Sequence, residues 1–130
     1  MGTIDTTIRL QEAEKMRKRY IERAEEKISE YMKNAQKDFC SFFHWNAKDM
    51  YYSTMIREYF TDMPKITELD DVELLKKSIR NRIERIESEL LNASSFGSCT
   101  DEIVNLEHRL KLESKRIIRN RLLDITYIFE

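Results

Sequence analysis

Glycine and proline are almost missing from this chain, which has two Gly and one Pro in 130 residues, and neither occurs between Thr3 and Met63. Folds built from many tight turns depend on both residue types, because one supplies positive φ and the other presets the turn. Long helices need neither. Charged residues make up 36% of the sequence, well above the usual quarter or so. The expected fold is therefore all-α: an elongated antiparallel bundle of about four helices, arranged as two helical hairpins with coiled-coil-like packing. A length of 130 residues fits one domain, with hairpin one over about 5–63 and hairpin two over about 67–129.

The apolar spacing places the elements. Leu10, Ala13, Met16, Tyr20, Ala24, Ile28, Tyr31, Ala35 and Phe39 follow steps of three and four, which predicts one stripe along a helix of about 35 residues. Asp5, Thr6 or Thr7 is its expected N-cap. The stripe reads as weaker in its first half, where Ala and long polar side chains dominate. Asn46 reads as the cap of a second helix over about Ala47–Thr61, with Asp49 near its positive end. Its apolar residues, Tyr51, Tyr52, Met55, Ile56, Tyr59 and Phe60, cover about half the circumference, wider than a two-helix seam requires. Pro64 ends that helix by pushing Met63 out of the helical region. A third helix, capped by Thr67 or Asp70, carries Val72, Leu75, Ile79, Ile83, Ile86 and Leu90. Residues 92–100 read as a loop. A fourth helix, capped by Thr100, carries Ile103, Leu106, Leu110, Ile117, Ile118, Leu122, Ile125 and Phe129, with an interruption at Glu113 and Ser114.

Aromatic residues are concentrated in one segment. Lys37 to Phe60 holds eight of the thirteen aromatics, which are one Trp, six Tyr and six Phe in all. A buried aromatic removes about 150–250 Å² from water, and exposing all eight would invite aggregation. Most are therefore expected to be buried: either Phe39, Phe43, Trp45, Tyr52, Tyr59 and Phe60 build the core where the first two helices meet, or the segment forms an interface with a second copy or another protein, or its rings stack on a small ligand. Successive helical residues turn by about 100°, so Phe42, Phe43 and Trp45 cannot face one way. This segment is expected to be covered from more than one side, either by the same chain or by a partner. The expected partner-binding residues are Phe42, Trp45, Tyr51, Tyr52, Met55 and Tyr59.

Charge is balanced overall, with a formal net charge of −1, so no bulk attraction to nucleic acid or to an anionic membrane follows. Locally it is uneven. Basic runs lie at Lys15–Arg23, Lys76–Arg85 and Arg109–Arg121, and an acidic one at Glu58–Glu73. Such runs usually form solvated faces with i,i+4 pairs. The alternative is an anion site for nucleic acid or a small nucleotide, built from Lys115, Arg116, Arg119 and Arg121, with tyrosines stacking a base.

Catalytic motifs are absent from the sequence. Two glycines cannot build a phosphate loop, and there is no G-x-S-x-G or H-E-x-x-H. Cys40 and His44 have metal-ligand spacing, but a zinc site would need two more ligands, for which Cys99 and His108 are the candidates. The expectation is no catalytic residue, no cofactor and no metal. No apolar leader or spanning segment is visible, and two cysteines form no secreted-type framework. The chain reads as a cytoplasmic, non-enzymatic interaction or assembly protein, such as an adaptor, subunit or inhibitor. Its expected partner is another protein or a second copy of itself.

Overall fold

The structure, a computed structural model, describes residues 3–68, 71–94 and 102–130. It is all-α, with no strand among those residues. The described residues form five α-helices rather than four: α1 (Thr3–Lys37), α2 (Phe39–Trp45), α3 (Ala47–Asp62), α4 (Val72–Ser94) and α5 (Glu102–Tyr127), with one 3₁₀ turn at Ile66–Glu68.

The additional helix arises at Asp38. Its backbone is extended, at φ −153° and ψ 96°, and its carboxylate accepts from the Ser41 N–H as an N-cap. This breaks the first helix at Lys37 and starts a new one at Phe39. At the other end, α1 starts at Thr3, ahead of the expected caps. Asp5 lies in its first turn and pairs with Arg9 at 3.3 Å. Asn46 does stand at the start of α3, but it makes no side-chain cap hydrogen bond; its Oδ1 instead accepts from Asn34 Nδ2 at 3.1 Å. Asp71 takes the capping role expected of Thr67 or Asp70, accepting from the N–H groups of Glu73 at 2.9 Å and Leu74 at 3.4 Å. Thr67 lies in the 3₁₀ turn, and Asp70 falls outside the described residues. The expected loop begins later than its first residue suggests, because Asn92–Ser94 continue α4. The expected cap Thr100 also lies outside the described residues.

Pro64 acts as expected. Met63 is extended at φ −68° and ψ 132°, and α3 stops at Asp62. The residue before a proline is excluded from the helical region by the pyrrolidine ring.

Helix α3 runs back along α1. Arg17 meets Phe60 and Tyr31 meets Asp49, so numbers rise on one helix as they fall on the other. Helices α4 and α5 are related in the same way: Glu89 meets Lys115, while Arg80 and Thr126 line a common groove. Helix α3 also packs against α5. That second neighbour accounts for its wide apolar face. The core is one contiguous cluster drawn from α1, α3, the 3₁₀ turn, α4 and α5, with Phe60, Ile79, Leu122 and Ile125 at 0% exposure. Burial of each such apolar side chain contributes about 1.5–3 kcal/mol relative to exposure.

Two features of the stripes need correction. The first half of α1 is its better-buried half: Leu10, Ala13, Glu14 and Arg17 are all buried, whereas of the later residues only Ala24 is. Alanine there permits close helix approach, and two of the long polar side chains, Glu14 and Arg17, pair with each other rather than facing water. Ser114 does not interrupt the α5 stripe. It is fully buried and returns its hydroxyl to the Lys111 carbonyl at 2.8 Å.

Glu14 and Arg17 join three elements. Arg17 Nε and Nη2 donate to the two carboxylate oxygens of Glu14, each at 2.8 Å. Its Nη1 donates to the Phe60 carbonyl at 2.6 Å and the Met63 carbonyl at 3.3 Å. Glu14 Oε1 in turn accepts from the Ile66 N–H at 2.9 Å. The last carbonyls of a helix have no intrahelical partner, and Pro64 prevents the chain from supplying one. The ion pair satisfies these groups instead. Burial alone would raise the Glu14 pKa, but the hydrogen bonds from Arg17 and the Ile66 N–H hold it below its usual value.

Candidate functional site

The exposed aromatic end is built from α2. Its backbone hydrogen bonds connect to both neighbours: Asp38 N–H to Asn34, Phe42 N–H to Asp38, Asn46 N–H to Phe42, and Met50 N–H to Asn46. The bend is therefore a shaped joint. Asp38 also accepts from the Ser41 hydroxyl at 2.9 Å, and this bond, with that from the Ser41 N–H, lowers its pKa. Behind the joint, α1 and α3 are tied by polar contacts. Tyr31 donates its hydroxyl to Asp49, Lys27 Nζ lies 3.5 Å from the same carboxylate, and Asn34 reaches Asn46. The Asp49 bond pushes the Tyr31 pKa up to about 12.

No residue of α2 is buried. Phe39 is 64% exposed, Phe43 67% and Trp45 75%. The expectation that Phe39, Phe43 and Trp45 build the core is thus overturned. Asp38 breaks the helix ahead of α2, and the described residues do not bury any of its side chains. Phe39, Phe42 and Phe43 cluster on one side, with ring centroids 5.8 Å and 6.3 Å from Phe39. Trp45 stands on another side, edge-on to His44 at 4.4 Å. Cys40 is exposed with a free thiol.

The expected partner-binding residues separate into two groups. Trp45 is exposed and Phe42 half-buried on α2, whereas Tyr51, Tyr52, Met55 and Tyr59 are half-buried along α3. Burial raises the Tyr51 and Tyr52 pKa values, helped by Glu107 and Glu113 of α5 respectively. Arg82 of α4 covers Tyr59, with its guanidinium 5.7 Å from the ring centroid and Nη1 3.4 Å from the hydroxyl. Met55 and Tyr59 floor a groove of about 290 Å³ between α3, α4 and α5, together with Ile86 and Ile118. Three acids (Glu58, Asp62, Glu89) and three bases (Arg82, Arg85, Lys115) rim it.

The four expected anion-binding residues do not converge. Lys115 pairs with Glu89 at 2.7 Å, and Arg116 with Glu113 at 3.2 Å. Arg119 donates to Asn120 at 3.4 Å. Arg121 lies about half a helical turn away from Arg119 and turns to α1, with its guanidinium 5.5 Å from the Tyr20 ring centroid. There it lines a second hollow, of about 80 Å³, with Tyr20, Arg23, Ala24, Lys27, Ser53 and Ile56. The sequence shows its signal in retrospect: Tyr20, Arg23, Ala24 and Lys27 are spaced three, one and three apart, which is one helix face.

Among the described residues, no group of three or more His, Cys, Asp or Glu side chains is placed to hold a metal ion. Cys99, one of the zinc candidates, lies outside those residues. No helix searched among them is long and apolar enough to cross a membrane.

No protein-family model, no curated protein and no solved structure matches this chain.

Proposed function

We propose that this chain is a non-enzymatic protein-interaction module that inserts α2 into an apolar groove of a protein partner. It acts as an adaptor, an assembly subunit or an inhibitor. The observation that carries the reading is the exposure of Phe39, Phe43 and Trp45, at 64%, 67% and 75%, on a helix with no buried residue. An aromatic side chain offers about 150–250 Å², so three at this exposure leave about 300–500 Å² of apolar surface in water. Divided between two sides of one short helix, that is as much apolar area as the largest contiguous patch on a typical monomer, which is often functional. It is also more than a third of one side of a standard interface, which buries about 800 Å² per partner. Aromatics on opposite sides of one helix suit a cleft rather than a flat face, the helix-in-groove mode. An elongated, coiled-coil-like arrangement of two hairpins, acting in the cytoplasm with reduced thiols, belongs to the same proposal.

The test pairs mass measurement with site-specific crosslinking. A photoreactive residue replaces Trp45 in one protein and the exposed Arg80 in another, and native mass spectrometry records copy number. The expected result is one discrete adduct from position 45 and none from position 80. Central aromatic anchors lose 2 kcal/mol or more on truncation, about thirtyfold in affinity, so Phe39→Ser and Phe43→Ser should abolish the adduct. An adduct of doubled chain mass would make the partner a second copy. Equal crosslinking from both positions, or an adduct unchanged in the Ser variants, would refute the reading.

A further inference from the structure

We infer that the hollow between α1, α3 and α5 binds the phosphate group of a small ligand. Three cationic side chains line it, Arg23 and Lys27 from α1 and Arg121 from α5, and no carboxylate lines it with them. Arg23 and Arg121 form no ion pair with any described residue, unlike Lys115 and Arg116 on the same protein. Of the carboxylates nearby, Asp49 is held by Lys27 at 3.5 Å and by the Tyr31 hydroxyl, and Asp124, on the side of Tyr20, is exposed to solvent. The hollow therefore carries net positive charge beside a low-dielectric wall, which is the arrangement that concentrates anions.

Its size admits a small anion. The hollow holds about 80 Å³, and one water-sized centre needs about 10–15 Å³. That gives room for about five to eight such centres, enough for the five heavy atoms of one tetrahedral oxyanion. Ala24 and Ser53, 4% and 3% exposed, line the space from α1 and α3 with small side chains. Larger side chains at either position would fill it. Guanidinium groups from two helices can bind such an anion through paired N–H···O bonds, which Lys27 supplements as a point charge. A nucleobase has no platform here. Tyr20 has Phe60 at 5.1 Å between centroids and Arg121 at 5.5 Å above its ring, so its π surface is already in use. The ligand is read by its phosphate.

The experiment is a titration of the ¹⁵N-labelled full chain with inorganic phosphate, followed by amide shifts. It is run at about 0.15 M salt, where diffuse interactions fade beyond about 8 Å. The amides of Ala24, Lys27 and Ser53 are expected to shift in one saturable phase. Arg23→Gln, an exposed position that leaves the core intact, should weaken binding about tenfold or more, as expected for a charged hydrogen bond lost. Arg121→Gln should do the same, and Arg116→Gln should leave binding unchanged. Methyl phosphate, which carries one esterified oxygen, distinguishes the sources. Equal or tighter binding than inorganic phosphate assigns the site to a phosphomonoester, and weaker binding assigns it to the free anion. Absence of saturable shifts at about 10 mM phosphate, beyond even millimolar affinity, overturns the inference. So does equal binding by the Arg23, Arg116 and Arg121 variants.

Discussion

Replacement of Arg17 by alanine tests how the fold is held where α3 ends. The guanidinium makes four hydrogen bonds, two to Glu14 and one each to the Phe60 and Met63 carbonyls. Both members of the pair are nearly sealed from water, with side chains 7% and 8% exposed. Arg17→Ala leaves a buried carboxylate whose one described hydrogen-bond donor is the Ile66 N–H. Breaking a buried pair by removing one partner costs about 3–5 kcal/mol. An exposed i,i+3 pair would cost no more than about 1 kcal/mol. Domains gain about 0.05–0.15 kcal/mol per residue, hence about 7–20 kcal/mol here, so the variant still folds and its loss can be measured. Urea unfolding followed by far-UV circular dichroism at neutral pH gives the value. A pH series then identifies the carboxylate. In the parent protein the Glu14 pKa lies below its ordinary value of 4.5, so its contribution is present above that value and lost as pH falls. In Arg17→Ala, burial acts without the counter-ion and raises the Glu14 pKa, so the penalty is largest at neutral pH and shrinks as Glu14 takes up a proton. The difference between the two proteins therefore narrows as pH falls through the carboxylate range. A loss under about 1 kcal/mol, or one independent of pH, would refute the reasoning.

The other predictions concern the aromatic end. Trp45→Ser should change unfolding free energy by no more than about 0.5 kcal/mol, the usual range for exposed positions, while removing the adduct formed from a photoreactive residue placed at the exposed Cys40. A large loss of stability would mean that α2 is packed. Asp38→Ala should unfold α2 locally, measured as faster amide exchange at Ser41 and Phe42. The parent's cap strength should fade as pH drops below the ordinary Asp value of 3.8, because the folded-state pKa is lowered. Tyr31 should ionise near pH 12 in the native protein, read by ultraviolet absorbance. Since its folded pKa is raised above 10.0, stability falls as pH rises from that value toward the folded one, and Tyr31→Phe should abolish that part of the slope.

Periodicity made α4 and α5 legible. Leu75, Ile79, Ile83 and Ile86, and opposite them Ile118, Leu122, Ile125 and Phe129, are buried as their spacing requires, but the α5 stripe fails at its start, where Leu106 is 58% exposed. Pro64 was legible for a local reason, since its ring acts on Met63 whatever the tertiary context. Asp38 was not. An aspartate is an ordinary surface residue in mid-helix and a strong cap at a break, and the flanking stripe continues in register through Phe39. Glu14 and Arg17 were hidden for a related reason. An i,i+3 acid–base pair looks the same in water and in a core, and only the carbonyls released near Pro64 distinguish them. The spacing of Tyr20, Arg23, Ala24 and Lys27 marks the α1 side of the hollow, but its closure by Arg121 depends on which side of α5 meets α1, which no single-helix pattern encodes.

The aromatic segment shows where burial arithmetic stops being informative. Apolar area stabilises a fold only when it is exposed in the unfolded chain and covered in the folded one. Phe39, Phe43 and Trp45 are largely exposed in both, so they contribute little to folding and cost it little. What their exposure affects is association. The apolar half of α1 meets α3, α5 and the 3₁₀ turn, whereas its last turns are held to α3 by Tyr31, Lys27 and Asn34. Stability is thus concentrated at one end of the α1–α3 pair and the uncovered aromatics at the other. That separation lets α2 be substituted without unfolding the protein, so a loss of binding at Trp45 can be read as a property of the surface alone.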